Sequence, residues 1–93
     1  MTGTDLSFEA FLDEQGIKDE VYGAAIKRVI ARQLEEARTS ADISKTAMAS
    51  GMGTSRAQVE RVLDPENVAV SLETLDRAAR AVGKRLVLDL KDL

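Results

Sequence analysis

Residues 43–63, ISKTAMASGMGTSRAQVERVL, constrain the fold of this chain more than any other stretch, because they spell two short helices and the turn between them. Ser44 precedes a run of helix formers and is placed to cap a helix from Ser44 to Met52. Met48 and Met52 share one face, with Ala49 beside them. Gly53 ends that helix, since a left-handed residue costs glycine little. Thr54 turns the chain. Ser55 caps the second helix, and Gln58 three residues on completes a Ser-x-x-Gln capping box. Val59, Val62 and Leu63 form its apolar side, which leaves Arg56, Ala57, Gln58, Glu60 and Arg61 outside. A steep crossing through so short a turn needs a small residue at the contact, here Ala49, and a glycine in the turn, here Gly53. It also needs apolar anchors on the second helix, and Val59 and Val62 fall at that spacing.

An ordinary helical hairpin explains the apolar positions equally well. It explains less well why Arg56 and Gln58 sit at the exposed N-terminal turn of the second helix, with Arg61 one turn later. That pattern favours a face that meets the major groove of DNA.

The charge balance of −3 opposes nucleic-acid binding as a total but not in its distribution. Residues 1–20 carry six acids against Lys18, residues 21–63 carry seven bases against four acids, and residues 64–93 carry five bases against six acids. The basic excess therefore lies with the helix pair and the helix before it, and the local field governs contact with DNA. The acidic total predicts weak nonspecific binding. The chain has no cysteine and no histidine, which excludes disulfides and thiolate metal sites and removes the commonest general base. No metal, no cofactor and no catalysis are expected. No apolar run reaches membrane-spanning length and Met1–Phe11 lacks a signal pattern, so a cytoplasmic protein without membrane contact is expected.

The 93 residues suit one small domain. Residues 1–20 read as an acidic N-terminal helical arm, with a helix from Phe8 to Gln15 that Gly16 ends. The arm is open to packing on the domain, crossing to a partner subunit or binding another protein. The longest helix is predicted from Val21 to Arg38, with Tyr22, Ile26, Val29, Ile30, Leu34 and Ala37 as its apolar stripe. Lys27, Arg28 and Arg32 fall outside the stripe, and Arg28 and Arg32 are spaced to pair with Glu35 and Glu36. After the helix pair, Asp64-Pro65-Glu66-Asn67 makes a turn. Ser71 caps a helix from Leu72 to Val82 that buries Leu72, Leu75, Ala78, Ala79 and Val82, with Val70 stapled onto Leu75 and Gly83 closing the end. Residues 84–93 change period: Leu86, Leu88 and Leu90 alternate with Arg85, Val87 and Asp89, which predicts a strand. Its partner would be a second copy of itself or an edge strand of another protein. The alternative is an extended tail folded back on the helices.

From Tyr22 to Val82 the chain resembles the Xre/Cro-type helix-turn-helix family, on ISKTAMASGMGTSRAQVERVL and on VSLETLDRAARAVGKRLVLDL, the latter being similar to the tail of HigA-type antitoxins and standalone regulators. The resemblance implies an all-α, five-helix, lambda-repressor-like domain over residues 21–83, flanked here by the helical arm and the short C-terminal β-strand. It implies a homodimer on a palindromic stretch of double-stranded DNA, acting as an autoregulatory transcriptional regulator, and for antitoxins a RelE-like toxin protein as second partner. The alternative is a toxin-binding module in which DNA contact is secondary or lost. Lys45 matches the family's phosphate-contacting position, usually glutamine. Ser55 caps the helix that enters the groove, and Arg56, Ala57 and Gln58 match the base-reading positions: a fork to guanine, a thymine methyl contact and an adenine pair. Arg61 matches a further base- or phosphate-reaching site, and Asn67 lies in the loop that approaches the backbone. The chain departs from the family at DISK, where GLSQ is frequent, and at Ser50-Gly51, where a basic pair is usual. Glu60 is a further departure, a negative charge placed to accept from cytosine or to hold an arginine. These departures imply modest affinity.

Overall fold

A computed structural model describes residues 18–92. Four α-helices follow in order: α1 (Lys18–Ser40), α2 (Lys45–Met52), α3 (Arg56–Leu63) and α4 (Leu72–Ala81). The helix expected at Phe8 to Gln15 lies outside the described residues. The expectation of five helices and a C-terminal strand is corrected on both counts: the described residues hold four helices and no strand. Residues 84–92 carry no regular secondary structure. Alternating side chains favour a strand only where a second strand exchanges backbone hydrogen bonds with it, and none is present among the described residues. Leu86 packs partly against the core, whereas Val87, Leu88 and Leu90 are exposed, Leu90 at 98 %.

The caps follow the sequence closely. Ser44 Oγ accepts from Ala47 N at 3.0 Å and opens α2, and Ser71 Oγ accepts from Thr74 N at 3.1 Å and opens α4. Gly53 takes φ 68° and closes α2: its N–H donates to Ser50 O, and Thr54 N donates to Ala49 O at 3.0 Å. This pair of crossed bonds satisfies carbonyls that a helix end would otherwise leave bare. The same pair closes α4 at Gly83, through Lys84 N to Ala79 O at 2.8 Å. It also closes α1 at Asp42, where Ile43 N donates to Arg38 O at 3.0 Å. Asp42 holds φ 55° there, a left-handed conformation that aspartate tolerates better than most residues.

Every helix feeds one core. α1 contributes Leu34, α2 contributes Met48, Ala49 and Met52, α3 contributes Val59 and Val62, and α4 contributes Leu75, Ala78 and Ala79. Val82, just past α4, completes it. α3 touches all three other helices, so its place is set from several sides. α1 is three residues longer at its start than the apolar stripe predicts, and it is rotated about its axis. Lys27, Ala31 and Leu34 face inward at helical spacing, while Ile26 and Val29 are 55 % and 44 % exposed. The predicted stripe counted β-branched residues and passed over the buried lysine. Leu72, predicted to be buried, is exposed at the first turn of α4, and Val70 packs on the core beside it.

Gly51 sits inside α2 where that helix passes α4, and a Cβ built on it would meet Ala81 Cβ at 3.4 Å, an ordinary van der Waals contact. Gly51 lies in a helix interior, where glycine costs roughly 0.5–1 kcal/mol relative to alanine. The variant Gly51→Ala is therefore expected to raise the unfolding free energy by about 0.5–1 kcal/mol in a urea titration. A loss of stability instead would mean that α2 and α4 pass too closely to admit a methyl group.

Candidate nucleic-acid interface

The exposed side of α3 is the counterpart of its buried side. Val59 and Val62 are fully buried, so Arg56, Ala57 and Arg61 must point away from the core, and all three are exposed. Gln58 is half-buried between the two sides. Ser55, with φ −83° and ψ 159°, caps the helix: its Oγ accepts from Gln58 N at 3.2 Å. The first N–H groups of α3 therefore emerge on the same end as Arg56 and Ala57, where a helix terminus favours an anion.

Only half of the capping box is closed. Gln58 Oε1 accepts from Arg61 Nη1 at 3.3 Å, so the amide turns along the exposed face and joins the arginine one turn later. Gln58 and Arg61 thus form one paired surface.

Lys45 opens α2 and reaches across to α3. Its Nζ lies 3.2 Å from Glu60 Oε1 and 3.3 Å from Oε2, and Arg56 Nε lies 3.8 Å from Glu60 Oε1. The structure therefore gathers Lys45, Ser55, Arg56, Ala57, Gln58 and Arg61 on one surface, with Glu60 among them. Three cations face one carboxylate, so the surface keeps a positive excess.

Asn67 does different work. Its Oδ1 accepts from Ala69 N at 3.0 Å, and its Nδ2 donates to Arg61 O at 3.5 Å. Both ends of the amide are used inside the loop after α3, so Asn67 shapes that loop.

Lys27 is the residue that sequence reasoning placed wrongly. It is only 5 % exposed, and from α1 its Nζ donates to Asp64 O at 2.6 Å and Arg61 O at 3.5 Å. These carbonyls lie at the C-terminal end of α3, where the helix dipole is negative, and Lys27 adds a charged donor to the backbone N–H groups of Asp64 and Asn67 that they already accept from. Lys27 therefore pins the far end of the helix whose near end carries Arg56. Burial lowers its pKa from the ordinary lysine value, and the Asp64 carboxylate partly opposes that shift.

The start of α2 is held as well. Arg38 donates to both carboxylate oxygens of Glu35, with Nε to Oε2 at 3.2 Å, and to Ile43 O at 2.9 Å. This fastens the turn that presents Ser44 and Lys45. The hydrogen bond from Arg38 lowers the Glu35 pKa against the opposing effect of burial. Because the folded value is the lower one, the contribution to stability is present above the unfolded pKa and is lost as pH falls through the folded one. The pairings predicted within α1 are partly replaced. Arg32 pairs with Glu36 at 3.9 Å, but Arg28 leaves the helix to meet Glu66 at 3.2 Å.

Among the described residues no cluster of carboxylates is placed to hold a metal ion, and no helix is long and apolar enough to cross a membrane. Comparison of the chain with known protein families, curated proteins and solved structures finds no match.

Proposed function

We propose that the chain is a sequence-specific, DNA-binding transcriptional regulator that lays α3 in the major groove. One observation carries this reading: Arg56, Ala57 and Arg61 line the exposed side of a helix whose opposite side is fully buried, and Lys45 stands beside them. Arg56 offers a planar fork for guanine O6 and N7, Ala57 a methyl contact for thymine, and the Gln58–Arg61 pair an amide and a second fork. Lys45 and the capped N-terminus of α3 take phosphates and fix the register. A dimer on a palindromic operator would place two copies of α3 about one helical turn, roughly 34–36 Å, apart. An autoregulatory role, and an antitoxin role beside a RelE-like toxin, extend this proposal from the family resemblance alone.

The deciding experiment is fluorescence anisotropy of the protein on DNA from upstream of its own gene, against a scrambled duplex, across a salt series. Preference for the native fragment that persists at physiological salt supports the proposal. Equal binding to both, lost at moderate salt, overturns it. The protein-binding reading would then take its place, favoured by the exposed side chains of Val87, Leu88 and Leu90 beyond α4.

Two substitutions separate reading from holding. Arg56→Ala is expected to lose about 1–3 kcal/mol of discrimination at one base pair. Lys45→Ala should weaken binding to all sequences alike. Equal, sequence-blind losses from both, measured on a panel of single-base operator variants, would remove Arg56 from the base-reading role.

A further inference from the structure

We propose that Glu60 is a built-in restraint on the DNA-facing surface: it occupies Lys45 and Arg56 in the free protein and so suppresses binding to arbitrary sequence. The proposal rests on the DNA-binding reading above and assigns a specificity-determining residue within it.

Among the described residues two ion pairs reach between distant parts of the chain, Arg28–Glu66 and Lys45–Glu60, and of the two carboxylates only Glu60 is shared by a second cation. Arg32–Glu36, Arg77–Glu73 and Arg80–Asp76 each join neighbours one turn apart on a single helix. Glu60 instead draws cations from two helices, with Lys45 on α2 engaging both of its oxygens and Arg56 on α3 approaching one of them. The Lys45 side chain is also only 32 % exposed. A carboxylate shared by two cations holds them more firmly than a lone surface pair.

The functional consequence follows from how proteins bind DNA without regard to sequence. That mode depends on cations neutralising phosphates and releasing counterions, with a salt slope of about 0.9 per phosphate neutralised. A phosphate that reaches Lys45 or Arg56 must displace Glu60 or lie beside its negative charge. Either outcome removes favourable free energy from an encounter in which both cations must serve phosphates. At the correct sequence the Arg56 fork goes to a base edge instead of a phosphate, and the Glu60 carboxylate beside it can accept from a cytosine amine, so most of that loss is avoided. At an arbitrary sequence it is incurred in full. Glu60 thus lowers nonspecific affinity more than specific affinity, which widens the ratio between them.

The test is Glu60→Gln, which keeps the shape and removes the charge from an exposed position. Glu36→Gln is the charge-matched control, on α1 and paired, among the described residues, with Arg32 one turn away. Both are measured by anisotropy on a scrambled duplex and on the fragment from upstream of the gene, across a salt series. Glu60→Gln is expected to tighten scrambled-duplex binding roughly tenfold at low salt and to steepen the salt slope by about one to two, as freed cations reach phosphates. Glu36→Gln should do neither, and adding Lys45→Met to Glu60→Gln should remove much of the gain. The restraint is overturned if Glu60→Gln and Glu36→Gln behave alike, whether both change or neither does. Loss of the DNA-reading role shows differently, as a wild-type protein with no preference for the upstream fragment.

Discussion

Met48→Ala is expected to lower the unfolding free energy by about 2–5 kcal/mol, the range for truncating a large side chain in a closed core. Met48 is fully buried, and it lies among Ala49, Met52, Val59 and Val62, where α2 and α3 meet. The loss has two parts, the transfer free energy of the removed atoms and the cavity they leave. Neighbouring Val59 and Val62 are β-branched and stiff at χ1, so they cannot swing in to fill the space. A small domain holds roughly 5–15 kcal/mol in all, so a wild type near the lower limit would leave the variant about half unfolded if the cost of the substitution reaches the top of its range. A urea titration followed by circular dichroism reads the shift in midpoint. A change below about 1 kcal/mol would mean that the α2–α3 seam relaxes freely, which would also deprive α3 of a fixed orientation.

The second large effect belongs to Lys27→Met. Methionine preserves the stem of the side chain and removes the ammonium that caps α3 through Asp64 O and Arg61 O. The expected cost is about 1–3 kcal/mol, that of withdrawing a charged donor from carbonyls at a helix C-terminus. The effect depends on pH in a definite direction. Burial lowers the folded pKa of Lys27 below its unfolded value of 10.5. Between those two values the unfolded chain holds the proton more tightly, so the wild type gains stability as pH rises through that window. Below the folded value both states are protonated and the dependence vanishes. The difference between wild type and Lys27→Met should therefore widen toward alkaline pH. A gap that stays constant or narrows would contradict a buried, desolvated ammonium. On the proposed function a second effect is expected, because a loosened C-terminal end lets α3 tilt and should weaken DNA recognition even where the protein remains folded.

The helix pair was legible because its signals are local. Ser44, Gly53 and Ser55 each act on backbone groups within a few residues, so the sequence alone places them. The exposed face of α3 followed from the same local logic, since burying Val59 and Val62 dictates where Arg56 and Arg61 point. Lys27 was not legible. A lysine at helical spacing reads as solvent-facing, and its true environment depends on the end of α3, which is distant in sequence. The same limit hid the link between Lys45 and Glu60, which spans two helices. Leu86 to Leu90 misled for a different reason. Alternation records what a segment's side chains can do in a sheet, but a sheet also needs a partner, and no period in one segment supplies it.

The way the helices end has a consequence for the order in which they form. α1, α2 and α4 close through bonds between residues five or fewer apart, at Asp42, Gly53 and Gly83, so each end can be made as soon as its own turn folds. α3 closes locally as well, with Asp64 N donating to Arg61 O at 3.3 Å, but it alone adds a buried tie from outside, from a donor 37 residues earlier in the chain to Asp64 O and 34 residues earlier to Arg61 O. Such a tie waits until α1 has docked, because a long loop must be gathered first. The tie that fixes the C-terminal end of α3 is thus completed late in folding. It is also lost when α1 lifts away, so the end of α3 is expected to loosen before the rest of the secondary structure melts.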